Sequence, residues 1–213
     1  MQNKISFIES NYKIAICGKH IKEDAIHVGL YWNFDDKKRI FHFLNGNKIP
    51  VQEADSSYFN EYLFNQIDNF PEFLLPSLIA ITELISENKI NNLIFNREGV
   101  VYNGGKFDFN SGNYNVKPVE KIMNCGVFIV ALLNTFDFKL INWNSWPNQE
   151  QTDYLNHWLF LNNIPKSDWI FYYSQSKIIR GKHILVSPST ISKPSNFDDA
   201  DFLANNLIEK LTN

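Results

Sequence analysis

Asn124-Cys125-Gly126-Val127-Phe128-Ile129-Val130-Ala131-Leu132-Leu133 is the stretch on which the fold turns. After the asparagine it is apolar on every side of a helix. It offers no face to water, so it predicts a helix buried at the centre of the domain. Asn124 suits the N-cap, where a side-chain oxygen accepts from a first-turn amide. Cys125 then opens the helix, beside unpaired N–H groups and the positive end of the dipole. Both favour a thiolate, and the same amides can hold an oxyanion. The plainer alternative is a small buried hydrophobe, a role cysteine also fills well.

Such a helix needs a sheet to cover, and the sequence offers one upstream. Residues 13–16 read as a short strand ending at Cys17-Gly18. Ala25-Ile26-His27-Val28-Gly29-Leu30-Tyr31-Trp32 reads as a longer one, 33–38 as a polar turn, and 39–44 as the returning strand. Alternation puts His27 on one face with Gly29, Tyr31 and Asn33. A buried imidazole must satisfy two nitrogens; a thiol or the backbone can serve. A loop over 33–36 sets His42 directly opposite His27, whereas a loop over 35–38 slides His42 to face Tyr31. His42 keeps the same face in both registers, but only the first lets it orient His27 directly.

Downstream, Pro76 opens a helix to about Asn88, and 92–95 is a short apolar run. Residues 99–102 can form a strand, and 102–116 read as a loop rich in Asn and Gly. A surface helix is expected over 149–162, with Tyr154, Leu155, Trp158 and Leu161 on one stripe. A strand is expected at 184–186, and a closing helix runs from Phe197 to Leu211. The fold class is therefore α+β, with an antiparallel sheet packed on a buried central helix and extra C-terminal helices. Residues 1–213 read as one domain, 145–213 being its mostly helical extension. Segments 51–75 and 102–116 are expected to flank the cleft.

Bulk properties exclude several classes. A net charge of −3 and the absence of a clustered basic surface argue against nucleic acid. Lys37-Lys38-Arg39 follows Asp35-Asp36 and reads as a solvated turn. Aromatic residues make up 15%, led by 18 Phe, which predicts a core built from rings. The most apolar helical segment, 74–85, is interrupted by Glu83 and too short for a bilayer. No secretory leader is visible, so the expectation is a cytoplasmic protein with two reduced thiols; a specialised secretion route would leave no mark. Cys17 reads as structural. His20, His157 and His183 sit in polar or surface settings without metal-ligand spacing, so neither a metal nor a cofactor is expected. Gly104-Gly105 is a lone pair and no phosphate loop.

Two patches carry a family resemblance. His27-Val28-Gly29-Leu30-Tyr31 resembles the histidine motif of NlpC-type cell-wall peptidases. Asn124-Cys125-Gly126-Val127-Phe128-Ile129 resembles the Asn-Cys-x-x-Phe-Val motif of lecithin retinol acyltransferase-like proteins. Both belong to the papain-like superfamily. The acyltransferase-like proteins are circular permutants with histidine ahead of cysteine, the order found here. The stretch 107–147, with Trp143-Asn144-Ser145-Trp146-Pro147, also looks like a bacterial group of permuted papain-like proteins. The resemblance implies a permuted papain-like fold, with Cys125 as nucleophile, His27 as base and His42 in the orienting role. Gly126-Val127 departs from the acyltransferases' residues, so acyl transfer is not implied. Cys125-Gly126-Val127-Phe128 is also similar to a motif of ubiquitin-like-protein proteases. Those carry an acid after the histidine strand, where this chain has Asn45, and a glutamine before the cysteine, which is missing.

Two functions compete. One is a cysteine hydrolase, a thiol protease in the broad sense, acting on a peptide or other acyl-bearing substrate (amide, thioester or ester). Asn124 and Tyr31 are its further candidates for holding the oxyanion or orienting the pair. The other is a non-catalytic papain-like binding module. A thiol titrating near about 8.5 marks the module, and a strongly lowered one the enzyme.

Overall fold

The computed structural model describes residues 12–44, 49–53, 61–87, 93–95, 102, 104–114, 121–148, 152–161 and 163–212. Within them lies a five-stranded antiparallel sheet in the order β4-β3-β2-β1-β5. Its strands are β1 (Ile14–Lys22), β2 (Ala25–Phe34), β3 (Lys37–His42), β4 (Val51–Glu53) and β5 (Tyr62–Gln66). A parallel pair, β6 (Ile94–Phe95) with β7 (Ile122–Met123), stands apart. The helices are α1 (Leu75–Glu87), α2 (Cys125–Thr135), α3 (Asp153–Leu161), α4 (Trp169–Gln175), α5 (Gly181–Val186) and α6 (Phe197–Thr212).

Both faces of the sheet are buried, which explains why β2 is apolar almost throughout. Ile26, Val28, Leu30 and Trp32 join Ile14, Ile16, Phe41 and Leu63 in the main core, which includes α2 and α5. The alternate residues face a smaller cluster of Ala15, Cys17, Tyr31, Ile40, Tyr62 and Phe64. Phe128 of α2 joins helix to sheet: its ring lies 5.2 Å from Phe41, 5.3 Å from Phe43 and 5.6 Å from Phe107. These spacings suit tilted and edge-on ring packing. The central helix is as buried as its composition demands, from Cys125 through Leu133.

Several expectations need correction. The β2–β3 turn is only Asp35-Asp36, with φ of 49° and 58°. Two residues of positive φ form the primed turn that matches strand twist, so β2 and β3 run closer to the tip than the polar run suggests. Lys37, Lys38 and Arg39 thus belong to β3 rather than a turn. β1 extends to Lys22, well past Gly18. Residues 184–186 are helical, in α5; a short apolar run buried on all sides reads alike as strand or helix. On α3 the buried residues are Leu155 and Leu159, while Leu161 is exposed; the side chains of Tyr154 and Trp158 lie outside the described set. Residues 99–101 and Asn45 also lie outside it. Residues 107 and 114 bridge within the predicted loop. The segment 51–75 supplies strands β4 and β5, and β5 forms a sheet edge beside β1. Ile184, Leu185, Val186, Ala200 and Ala204, from α5 and α6, sit in the main core.

Candidate active site

Asn124 caps α2 as its sequence position predicts. Its Oδ1 accepts the Val127 N–H at 2.9 Å, and its Nδ2 donates to the Ile179 carbonyl at 2.6 Å. The Phe128 N–H goes to the Asn124 carbonyl. Two first-turn amides are thereby satisfied, and those of Cys125 and Gly126 are directed at the Cys125 sulfur. The Val28 N–H points at the same sulfur. This third amide is available for a topological reason. Gly29 pairs with His42, so continuing the register would set Phe43 opposite Val28, and β3 ends at His42. The Val28 amide is thus left outside the β2–β3 ladder.

Across β2 the two histidines meet. His27 Nε2 lies 3.0 Å from His42 Nδ1, with ring centroids 5.2 Å apart. The observed register falls between the two considered from sequence: His42 faces Gly29 and lies diagonal to His27. Contact survives the diagonal offset. One ring donates and its neighbour accepts, so the tautomers are coupled. If His27 donates through Nε2, its Nδ1 is left bare as a proton acceptor. That nitrogen has no hydrogen-bond partner among the described residues.

The expected thiol–imidazole contact takes a different form. Among the described residues the His27 ring does not hydrogen-bond Cys125; the sulfur touches the backbone amide of the following residue instead. The cause is strand alternation. His27 leaves β2 on the face away from α2, while Val28 faces the helix. Cys125 and His27 are therefore neighbours across the end of a ladder, one residue apart along β2.

Burial dominates the electrostatics. Cys125 is 7% exposed, and desolvation pushes its thiol up despite the three amides that favour the thiolate. Burial, then the neighbouring His42, holds His27 down to about 4. At neutral pH the resting pair is thiol and neutral imidazole. No protein-family model, curated protein or solved structure matches this chain.

The remaining candidates are sorted by their surroundings. Asn124 spends its Oδ1 on the cap and one of its two Nδ2 N–H donors on the Ile179 carbonyl. Tyr31 lies four residues along β2 from His27, roughly 13 Å at strand rise. Its ring packs edge-on to Phe64 within the apolar cluster, and in the ladder it lies diagonal to His42, as His27 does on the other side. Cys17 is fully buried with its thiol pushed up, as a structural residue should be. His20 bonds the Glu23 carbonyl and His157 is exposed. His183 is the exception to its expected surface setting. It is 2% exposed, 3.1 Å from Asp201 and packed between Trp146 and Phe197, because α5 is a core helix. No group of three metal-ligating side chains occurs among the described residues, nor does any helix long and apolar enough to cross a membrane.

Sequence reasoning missed Val28 and Ile179, which act through backbone atoms and leave no side-chain signature. It also passed over Gly29, although a glycine inside a strand is a signal of close approach.

Proposed function

We propose that this chain is a cysteine hydrolase of papain-like type that cleaves an acyl bond through Cys125, His27 and His42. The observation that carries the reading is the convergence of three backbone amides on the Cys125 sulfur, one of them from the residue following His27. His42 holds His27 Nε2 at 3.0 Å, which leaves Nδ1 as the ring nitrogen to act as base. On substrate binding His27 Nδ1 takes the thiol proton, and the sulfur attacks the carbonyl carbon. The Cys125 and Gly126 amides hold the oxyanion. Protonated His27 returns its proton to the leaving group, leaving a thioester on Cys125. Water, deprotonated by His27, then releases the acid and the thiol.

This site differs from a preformed thiolate–imidazolium pair, since both members rest neutral. Activation is therefore general-base, and His42 supports it by accepting the His27 Nε2 proton. Incubation with an activated acetyl ester, followed by peptide mass mapping, tests the reading. The acetyl group should appear on Cys125 and disappear in Cys125→Ala. Acetylation confined to Cys17, or adduct formation unchanged in His27→Ala, would end it.

The non-catalytic reading is favoured by one observation. The thiol is pushed up rather than down and is almost closed to solvent. Under that reading Cys125 is a core residue, and no acyl adduct forms at any pH below the thiol's own titration.

A further inference from the structure

We infer that Gly29 is the positioning residue of the histidine pair: the side chain it lacks is the room through which His42 reaches His27. The inference rests on the hydrolase reading above and adds to it. In an antiparallel ladder, directly opposed residues hold their Cβ atoms about 5 Å apart, and diagonal ones about 7–8 Å. His42 is opposed to residue 29 and diagonal to His27. A side chain at position 29 would stand between them, and His42 would pack over it. With glycine there, the His42 ring crosses the bare backbone and closes to 3.0 Å.

The space is narrow. A Cβ placed on Gly29 would lie 3.0 Å from His42 Cβ, 3.0 Å from Ile40 Cγ2 and 3.0 Å from the Phe41 carbonyl oxygen. Two of these neighbours belong to the side chains flanking the passage, and each would have to give by a few tenths of an ångström. The shift falls on the atom from which the His42 ring hangs. Gly29 does not need its conformational freedom, for it sits within a regular strand. Its absent methyl is what the site uses.

The test compares the parent with Gly29→Ala in two readouts. The first is the nitrogen–nitrogen scalar coupling across the His27–His42 hydrogen bond in isotope-labelled protein. The second is the rate of Cys125 alkylation by iodoacetamide, located by mass mapping across pH. The parent should show the coupling. Gly29→Ala should lose it and alkylate about tenfold more slowly near pH 7, as loss of general-base help demands. If the single variant does not fold, Gly29→Ala with Ile40→Ala relieves the crowding at Ile40 and carries the same comparison. Retention of the coupling in the variant overturns the inference. So does loss of coupling with an unchanged rate, provided His27→Ala slows alkylation; the hydrolase reading then stands alone. An unchanged rate in His27→Ala sinks the hydrolase reading, whatever the coupling shows.

Discussion

Asn124 links the start of α2, where Cys125 sits, to the rest of the molecule through one side chain. Its two hydrogen bonds, to the Val127 amide and the Ile179 carbonyl, are both buried. Asn124→Ala removes a cap, worth about 1 kcal/mol, and leaves a buried carbonyl without its donor, at about 1–3 kcal/mol. A loss of about 2–4 kcal/mol in urea unfolding is expected; a loss under 1 kcal/mol would mean the cap is dispensable. His27 predicts a pH effect whose sign follows from its folded value. It titrates at about 4 when folded against an ordinary 6.5, so between those values the unfolded chain binds more protons. Stability is full above about pH 6.5 and is lost as pH falls towards 4. The loss is at most about 3.5 kcal/mol per histidine, since each pH unit between the two values contributes about 1.4 kcal/mol. His183, buried and likewise held down to about 4, contributes in the same direction. In His27→Gln the decline in urea midpoint between those pH values should be about half as steep. An equally steep decline would assign the whole effect to other groups.

At the scale of elements, the β2–β3 hairpin shows what the sequence revealed and what it withheld. Strand alternation separated His27, Gly29 and Tyr31 from Ile26, Val28, Leu30 and Trp32, and it is the second set that faces the main core, a choice the alternation alone left open. The register was not legible, since it depends on the turn, and the polar run at 33–38 allowed several. A turn with positive φ at both Asp35 and Asp36 is unusual for residues bearing side chains. The wider choices were therefore reasonable from composition and wrong by one step in each direction. Asp36→Gly fits φ of 58° without Cβ strain and should stabilise the protein by about 0.5–1 kcal/mol. Thermal unfolding measures this directly, and a lower melting temperature would show that the Asp36 side chain supports the turn. The buried helix was legible for the opposite reason: a run without a polar face has one place to go. What the sequence could not show was the edge geometry of the site. The Val28 amide meets Cys125 because β3 stops at His42, and strand ends are set by tertiary pairing.

For the molecule as a whole, the question is how the C-terminal helices bear on a site made from β2 and α2. Gly181, the first residue of α5, is pressed against β2: a Cβ there would lie 1.9 Å from the Ile26 carbonyl oxygen. No neighbouring side chain can turn aside to relieve that contact, because the obstacle is backbone in the middle of the sheet. Arg180 and Lys182 both reach Asp24, at 3.0 Å and 3.5 Å, holding the helix start near the β1–β2 turn. Asp24 and Arg180 are about half exposed, so these pairs add little to stability; close packing supplies most of the attachment. Ile179, immediately before, takes the Asn124 amide and packs on Gly126, so the segment that docks α5 also touches the residues on either side of Cys125. Gly181→Ala must therefore separate α5 from β2, at a cost of about 3 kcal/mol or more. The same movement should uncover Cys125 and speed its alkylation while leaving Cys17, on the far face of the sheet, unchanged. Equal acceleration at both cysteines would signify global unfolding. No acceleration at Cys125, in a variant destabilised as expected, would show that α5 supports the fold without guarding the thiol.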